Sequence, residues 1–274
     1  MQNRAKIAAL IAAWLAGNPA ECPAAESPPI IVEIESPLAS PHPLQGYLRQ
    51  GGNAGPSPAV VLLHGCSGNW QRLDERWGKR IASWGYVALT VDSLGPRGLT
   101  NCGDGAPADL TLDAYRALNF LARDPLVDPA RVAVLGFAHG GRVALMSVEQ
   151  GTMEQTSPNK FHAAIAFYPH CLGFKGQMTV PTLILIGELD DWSLAKECRN
   201  MVEGRDDWGI SRQRDQGIPM KLVVYPGAHH AFDVSNLTTP RTVLGHHLEF
   251  NQSATDQSIV ALREFLDATI GRRE

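Results

Sequence analysis

Several common functional motifs are missing from this 274-residue sequence. It contains no Cys-x-x-Cys pair, no His-Glu-x-x-His segment and no Gly-x-Gly-x-x-Gly loop. Their absence argues against a zinc or thiol-redox motif, a metalloprotease helix and a dinucleotide-binding loop. Metal-ligating residue types are present in Glu188, Asp190, His229, His230, His246 and His247, but without a helical ligand spacing. We therefore expect no cofactor and no metal.

Positive charge is also scarce. The 24 lysines and arginines are outnumbered by 28 acidic residues, which leaves a formal net charge of −4, and no basic block occurs. A nucleic-acid partner requires a positive footprint on the protein surface. The composition therefore predicts no nucleic-acid partner, and the length suits one large α/β domain with a sizeable core.

The N-terminus has the pattern of a secretory signal peptide. Arg4 and Lys6 precede an apolar run over residues 7–17, which is too short to span a bilayer comfortably, and small residues follow. We expect residues 1–25 to be removed and residues 26–274 to form a single periplasmic or secreted domain without stable membrane association. An uncleaved anchor or an amphipathic N-terminal helix is the alternative. Glu21 before Cys22 argues against a lipidation site.

Export changes the interpretation of the cysteines. The mature part contains four, Cys66, Cys102, Cys171 and Cys198. An even number in an oxidising compartment predicts two disulfides, and the sequence does not choose among the three possible pairings. Buried free thiols are the alternative.

Strand and helix patterns alternate along the chain. Apolar runs typical of buried strands occupy residues 59–65, 86–93, 131–137, 161–169, 181–190 and 221–227, and an alternating run covers 30–35. Helical spacing of apolar residues follows over 73–84, 109–123, 140–150 and 259–270. This alternation predicts an α/β fold with a mostly parallel central sheet and helices on both faces. Residues 203–218 and 235–253 are expected to be loops near the site, which should lie at the carboxyl ends of the strands.

One of these strand ends resembles a nucleophile elbow. Residues 136–140 read Gly-Phe-Ala-His-Gly and match the pattern Gly-x-Ser-x-Gly except at Ala138. Asp190 ends a later strand and His230 follows the last one, so acid and histidine occur in the order of a catalytic triad. The backbone N–H groups of Cys66 and His139 are the expected oxyanion donors.

The motifs HGCSG, DSLGPRG, GFAHGG, AFYPHC, GELDD and YPGAHHAF together resemble the dienelactone hydrolase family of α/β-hydrolases, from about Ala59 to the C-terminal helix. The resemblance implies hydrolysis of a small-molecule ester or lactone by a Cys or Ser nucleophile with Asp190 and His230. The nucleophile position falls on Ala138, which puts activity of this chain in doubt. Arg97 is a candidate to hold a substrate carboxylate, and Trp192 and Trp70 are candidates to line the pocket. Surface exposure of Arg97 and packing of both tryptophans are the alternatives.

Ala138 admits two explanations. It is either an engineered replacement of a catalytic Ser or Cys, made to trap a substrate or silence the enzyme, or it marks a naturally non-catalytic binding protein that kept the pocket. Intact Asp190, His230 and elbow glycines favour the first explanation. A peptidase-like hydrolase is a further alternative. Cys66 and Ser67 lie in the oxyanion loop instead of the elbow, so neither is expected to act as the nucleophile.

Overall fold

The computed structural model describes residues 28–35, 43–51, 55–104, 110–205 and 217–271. The signal peptide predicted for residues 1–25 lies outside the described residues and stays a prediction. So does most of the loop predicted for residues 203–218.

In the part of the chain that the structure describes, eight strands form one sheet: β1 (Ile30–Ile34), β2 (Leu44–Arg49), β3 (Ser57–Leu63), β4 (Val87–Asp92), β5 (Val127–Phe137), β6 (Ala163–Phe167), β7 (Thr182–Gly187) and β8 (Met220–Tyr225). Their spatial order is β1-β2-β4-β3-β5-β6-β7-β8. The strands from β4 to β8 pair in parallel, whereas β2 is antiparallel to both β1 and β4. The sheet is therefore mostly parallel, as predicted.

Helices connect the parallel strands or follow the last of them: α1 (Trp70–Leu73), a π-helical turn (Asp74–Gly78), α2 (Lys79–Ser83), α3 (Leu110–Leu121), α4 (His139–Met146), α5 (Thr152–Thr156), α6 (Ala195–Glu203) and the C-terminal α7 (Gln252–Thr269). Short 3₁₀ turns cover Gly95–Arg97, Cys102–Asp104 and Ser235–Leu237. Helix α3 packs against α4, while Arg263 of α7 lies over the ring of Trp84 at the end of α2. Among the described residues, no helix is long and apolar enough to cross a membrane.

The core lies along the central strands. Every residue of β3, β4, β6 and β7 is buried, which requires helices on both faces of the sheet. The apolar runs in the sequence have the same cause, because a strand covered on both faces cannot alternate with polar residues. The predicted α/β fold is confirmed, and the strand ends after β3, β5, β6, β7 and β8 lie along the same edge.

Two elements were not expected from the sequence. Strand β2 contains Gly46 and ends in the buried Arg49, so it carries no apolar run. The region 235–253, predicted as a loop, contains a hairpin of β9 (Arg241–Val243) and β10 (His246–Leu248). Leu244 and Gly245 both have positive φ, 51° and 89°, which allows a two-residue turn between these strands.

Candidate active site

The elbow between β5 and α4 has a strained backbone at Ala138. Its φ of 50° and ψ of −112° are unfavourable for any residue with a side chain, at a cost of about 1–3 kcal/mol. Its N–H donates a 2.9 Å hydrogen bond to the carbonyl of Phe167, which fixes the turn beside β6. A Cβ on Gly136 would overlap the carbonyl of Gly140, and one on Gly140 would overlap the carbonyl of Leu63. The two glycines are therefore required for a turn this sharp.

Asp190 and His230 meet at the ends of β7 and β8. The Nδ1 atom of His230 lies 2.9 Å from Oδ2 of Asp190, and the carboxylate is fully buried. The other oxygen, Oδ1, accepts hydrogen bonds from the backbone N–H groups of Trp192, at 3.0 Å, and Ser193, at 2.7 Å. A carboxylate held in this way orients the imidazole with its proton on Nδ1, so Nε2 can accept a proton.

A second buried carboxylate lies near this pair. The ring of Tyr168, at the end of β6, is 4.7 Å from the ring of His230, and its hydroxyl donates to Oδ1 of Asp233 at 2.7 Å. Oδ2 of Asp233 accepts from Nε1 of Trp77 at 2.7 Å and from Nε of Arg76 at 2.9 Å. Burial raises the pKa of Tyr168 well above its ordinary value, so its hydroxyl keeps its proton. No sequence motif predicted a role for Asp233, whose only signal was its place three residues after His230.

The loop after β3 lies beside the elbow. A Cβ built on Gly65 would be 3.4 Å from the Cβ of Ala138, which is van der Waals contact. Next in the chain, Cys66 is bonded to Cys102, and its carbonyl also accepts the N–H of Cys102 at 2.9 Å. Cys66 is therefore not a free thiol in this structure. His139 is the first residue of α4, where a backbone N–H has no acceptor within the helix. Oxyanion binding by these two N–H groups stays a prediction.

Three other histidines lie around the elbow. His64 is buried, with Nδ1 2.7 Å from the carbonyl of Gly65 and Nε2 accepting the N–H of Ser93 at 3.2 Å. Burial lowers the pKa of His64, so it is neutral and structural. Burial likewise lowers the pKa of His139 and His170, and the neighbouring Arg142 and His230 respectively lower these values further. Burial therefore favours the neutral form of these three imidazoles.

The predicted substrate-binding residues differ in their surroundings. Both terminal nitrogens of Arg97 bind the carboxylate of Asp113, at 2.7 and 2.9 Å, so its charge is already paired. Its contact with a substrate stays a prediction. The ring of Trp192 lies 5.2 Å from that of His230, beside the predicted triad. Trp70 is buried against Tyr47, with ring centroids 4.3 Å apart, which matches the packing alternative.

The other two cysteines among the described residues also pair. Cys171, after β6, lies within bonding distance of Cys198 in α6, with a Cα separation of 4.9 Å. Of the three pairings that the sequence left open, the structure has Cys66–Cys102 and Cys171–Cys198. The alternative of free thiols is not observed.

The sequence matches the model of a known protein family over most of its length. The model of the dienelactone hydrolase family matches residues 44–269. Lipase 1 of Moraxella sp. (strain TA144) is 29% identical over 129 residues, which cover 45% of this chain and 36% of that lipase. The chain thus matches about a third of that relative's length.

Solved structures share the fold. A candidate dienelactone hydrolase from Klebsiella pneumoniae superposes with a TM-score of 0.67 at 19% identity, covering 88% of this chain and 99% of the other. Esterase 2 of Thermogutta terrifontis, phosphoramylated by tabun, gives 0.64 at 18% identity and covers 88% and 94%. At these sequence identities, the comparison shows that the chains share a fold, the same arrangement of strands and helices.

Proposed function

This chain belongs to the dienelactone hydrolase family, and we propose that its site is built for hydrolysis of a small ester or lactone. The observation that carries the proposal is the 2.9 Å contact between Asp190 and His230, which lie at the same sheet edge as the strained elbow at Ala138. Position 138 is where the nucleophile belongs, and alanine has no nucleophilic atom. The chain as it stands is therefore close to inactive.

The mechanism requires a Ser or Cys at position 138. Nε2 of His230 would take the proton of that side chain as its oxygen or sulfur attacks the ester carbonyl. The backbone N–H groups of Cys66 and His139 would bind the resulting oxyanion. The tetrahedral intermediate would then break its bond to the alcohol oxygen, and the alcohol would take the proton from His230 as it leaves. The acyl group would stay bound to the side chain at position 138 as an acyl-enzyme.

Water completes the reaction. His230 would remove a proton from a water molecule as the water oxygen attacks the acyl carbon. The bond between that carbon and the side chain at position 138 would then break, the side chain would take the proton back from His230, and the acid product would leave. Asp190 would hold the imidazole orientation and stabilise the imidazolium in both steps. A ring-opened lactone stays one molecule, because its alcohol and acid are joined.

The same site supports a second candidate function. Ala138 itself favours a non-catalytic ligand-binding protein, since its methyl group leaves the pocket intact but removes the attacking atom. Retention of a buried Asp190–His230 pair favours the hydrolase, because a binding protein does not need a base oriented by a carboxylate. Export to the periplasm or medium belongs to both candidates and is supported by the two disulfides.

Restoration of the nucleophile tests the proposal. Ala138→Ser and Ala138→Cys are compared with the parent chain on a short-chain aryl ester, together with lactones and aminoacyl amides. We expect one of them to raise kcat/KM by at least about 10³-fold. Adding Asp190→Asn to the active variant should then reduce kcat by about 10³–10⁴-fold, because the imidazole loses its orientation.

The matched control carries His230→Ala with the restored nucleophile. Loss of the recovered activity in this double variant would show that the new side chain works through His230. Folded single variants that stay as slow as the parent on esters, lactones and amides would overturn the hydrolase proposal. Saturable ligand binding by the same proteins would then support the second candidate.

A further inference from the structure

Three metal-ligating side chains outside the predicted triad lie together. His229 comes after β8, His247 is the middle residue of β10, and Glu249 directly follows that strand. One ligand atom from each residue lies within 4.8 Å of the other two. We call these three residues the His–His–Glu cluster.

The cluster is compact around one carboxylate oxygen. Oε2 of Glu249 lies 2.9 Å from Nε2 of His247 and 4.0 Å from Nε2 of His229. The two imidazole rings are 4.0 Å apart between centroids and tilted by 40°. The Nδ1 atom of His229 is buried and has no hydrogen-bond partner among the described residues. This buried atom is not the one measured against Glu249, so Nε2 is the ligand atom that His229 offers to the cluster.

The backbone that carries the cluster is held from two directions. The N–H of His247 contacts both carboxylate oxygens of Asp191, at 3.1 and 3.2 Å, and Leu248 forms a parallel bridge with His230. The ring of His246, the residue before His247, stacks on the ring of Trp192 with 4.8 Å between the centroids. The hairpin is therefore fixed against the loops that carry Asp190 and His230.

We propose that the His–His–Glu cluster binds a divalent transition-metal ion of the zinc class. Two imidazoles and one carboxylate form a ligand set typical of Zn²⁺, whereas Mg²⁺ and Ca²⁺ prefer oxygen ligands only. The single carboxylate offsets part of the charge of the ion. All three side chains are partly exposed, at 21%, 38% and 41%, so an ion can enter from solvent and keep water in a fourth position.

Only small movements are needed for this site. Zinc–nitrogen and zinc–oxygen bonds of about 2.0–2.2 Å place tetrahedral ligand atoms roughly 3.3–3.6 Å apart. One cluster distance is already shorter than that, and rotation of partly exposed side chains can close the others. No metal was expected from the sequence, because the histidines and acids lack a helical ligand spacing. His229 and His247 are 18 positions apart, and docking of the hairpin brings them together.

Occupation of the site would connect two elements. His229 immediately precedes His230, and the other two ligands belong to the hairpin, so the ion would cross-link the hairpin to the predicted catalytic loop. An ion that binds only the folded chain stabilises it by mass action. The proposal stands independently of hydrolysis, since it requires no nucleophile.

Titration of the untagged full chain with ZnCl₂ tests the proposal. We expect one Zn²⁺ per chain by calorimetry and by elemental analysis after gel filtration, and a Tm that rises with zinc concentration. Co²⁺ should give visible absorption bands that Zn²⁺ removes. MgCl₂ should bring about neither change.

The variants His247→Gln and Glu249→Gln should each weaken zinc binding at least about tenfold, because loss of a ligand costs more than loss of an outer partner of a ligand. His246→Gln is the matched control, since it changes a histidine of the same hairpin that contacts the carbonyl of Asp191 instead. Metal-free Tm and circular dichroism identify variants that stay folded. Equal zinc affinity in the parent and all folded variants, or no binding by the parent, would overturn the proposal.

Discussion

The hydroxyl of Tyr168 donates a 2.7 Å hydrogen bond to Asp233, whose carboxylate is fully buried. Since the ring of Tyr168 also packs against His230, this bond connects the predicted catalytic histidine to a buried ionic network. Arg76 and Trp77 donate to the other oxygen of the same carboxylate. All three donors depend on one acceptor group.

The first prediction concerns this network. Asp233→Asn removes the charge opposite Arg76 and turns an NH₂ group toward one of the three donors. We expect a loss of about 2–4 kcal/mol in the free energy of unfolding. Urea unfolding measures it. Asp128→Asn is the control, because the Asp128–Arg131 pair is more exposed and should change stability by less than about 1 kcal/mol. Equal effects of the two variants would contradict the prediction.

The second prediction concerns backbone strain at the elbow. Ala138→Gly removes the Cβ at a φ of 50° and should raise the free energy of unfolding by about 1 kcal/mol, less than the full strain because glycine gains entropy when unfolded. The same exchange at Ala268, exposed in α7, should lower it by about 1 kcal/mol. Thermal and urea unfolding of both variants check the opposite signs. Destabilisation by Ala138→Gly would show that the elbow is not strained.

The third prediction concerns acid stability. Burial lowers the pKa of His64, whereas in the unfolded chain it titrates at about 6.5. As pH falls below about 6.5, the unfolded state binds a proton that the folded state does not, so stability decreases by up to about 1.4 kcal/mol per pH unit. Above that pH, His64 is neutral in both states and no longer makes the free energy of unfolding depend on pH.

His64→Gln should reduce this slope between pH 7 and pH 5. Glutamine can accept the Ser93 N–H but does not titrate. The free energy of unfolding at pH 8 serves as the control, since it reports any packing loss separately from proton binding. His139 and His170, whose pKa values burial also lowers, keep part of the slope in the variant. An unchanged slope would show that His64 does not contribute.

The fourth prediction concerns the disulfide beside the elbow. Cys66 and Cys102 are 36 positions apart, so replacing both by alanine should lower the free energy of unfolding by about 2–4 kcal/mol, mainly by freeing the unfolded chain. Urea unfolding without reductant measures the loss. Dithiothreitol should destabilise the parent by more than the double variant, which keeps only Cys171–Cys198. A double variant as stable as the parent would contradict the prediction.

Much of the fold could be predicted from the sequence, because burial on both faces of a strand and sharp turns each leave a recognisable local residue pattern. Strands such as β3 and β7 are covered on both faces, so they read as continuous apolar runs, and the elbow glycines mark a turn that no side chain fits. Strand β2 was not predicted, because it has no apolar run of its own and forms by antiparallel pairing with β1 and β4. The β9–β10 hairpin was missed for a similar reason, since its strands are short and carry no buried run.

The sequence by itself determined the chemical types at the site: Ala138 at the elbow, Asp190 and His230 in triad order, and four cysteines in the mature part. Only the tertiary structure decided which of these groups touch, because contacts between residues distant in the chain depend on how strands order in the sheet. Only in the folded chain are the cysteines paired, does Arg97 bind the carboxylate of Asp113, and does Asp233 accept the hydrogen bond of the Tyr168 hydroxyl. It also brought His229 beside His247, because hairpin docking is set by packing energies that no local pattern encodes.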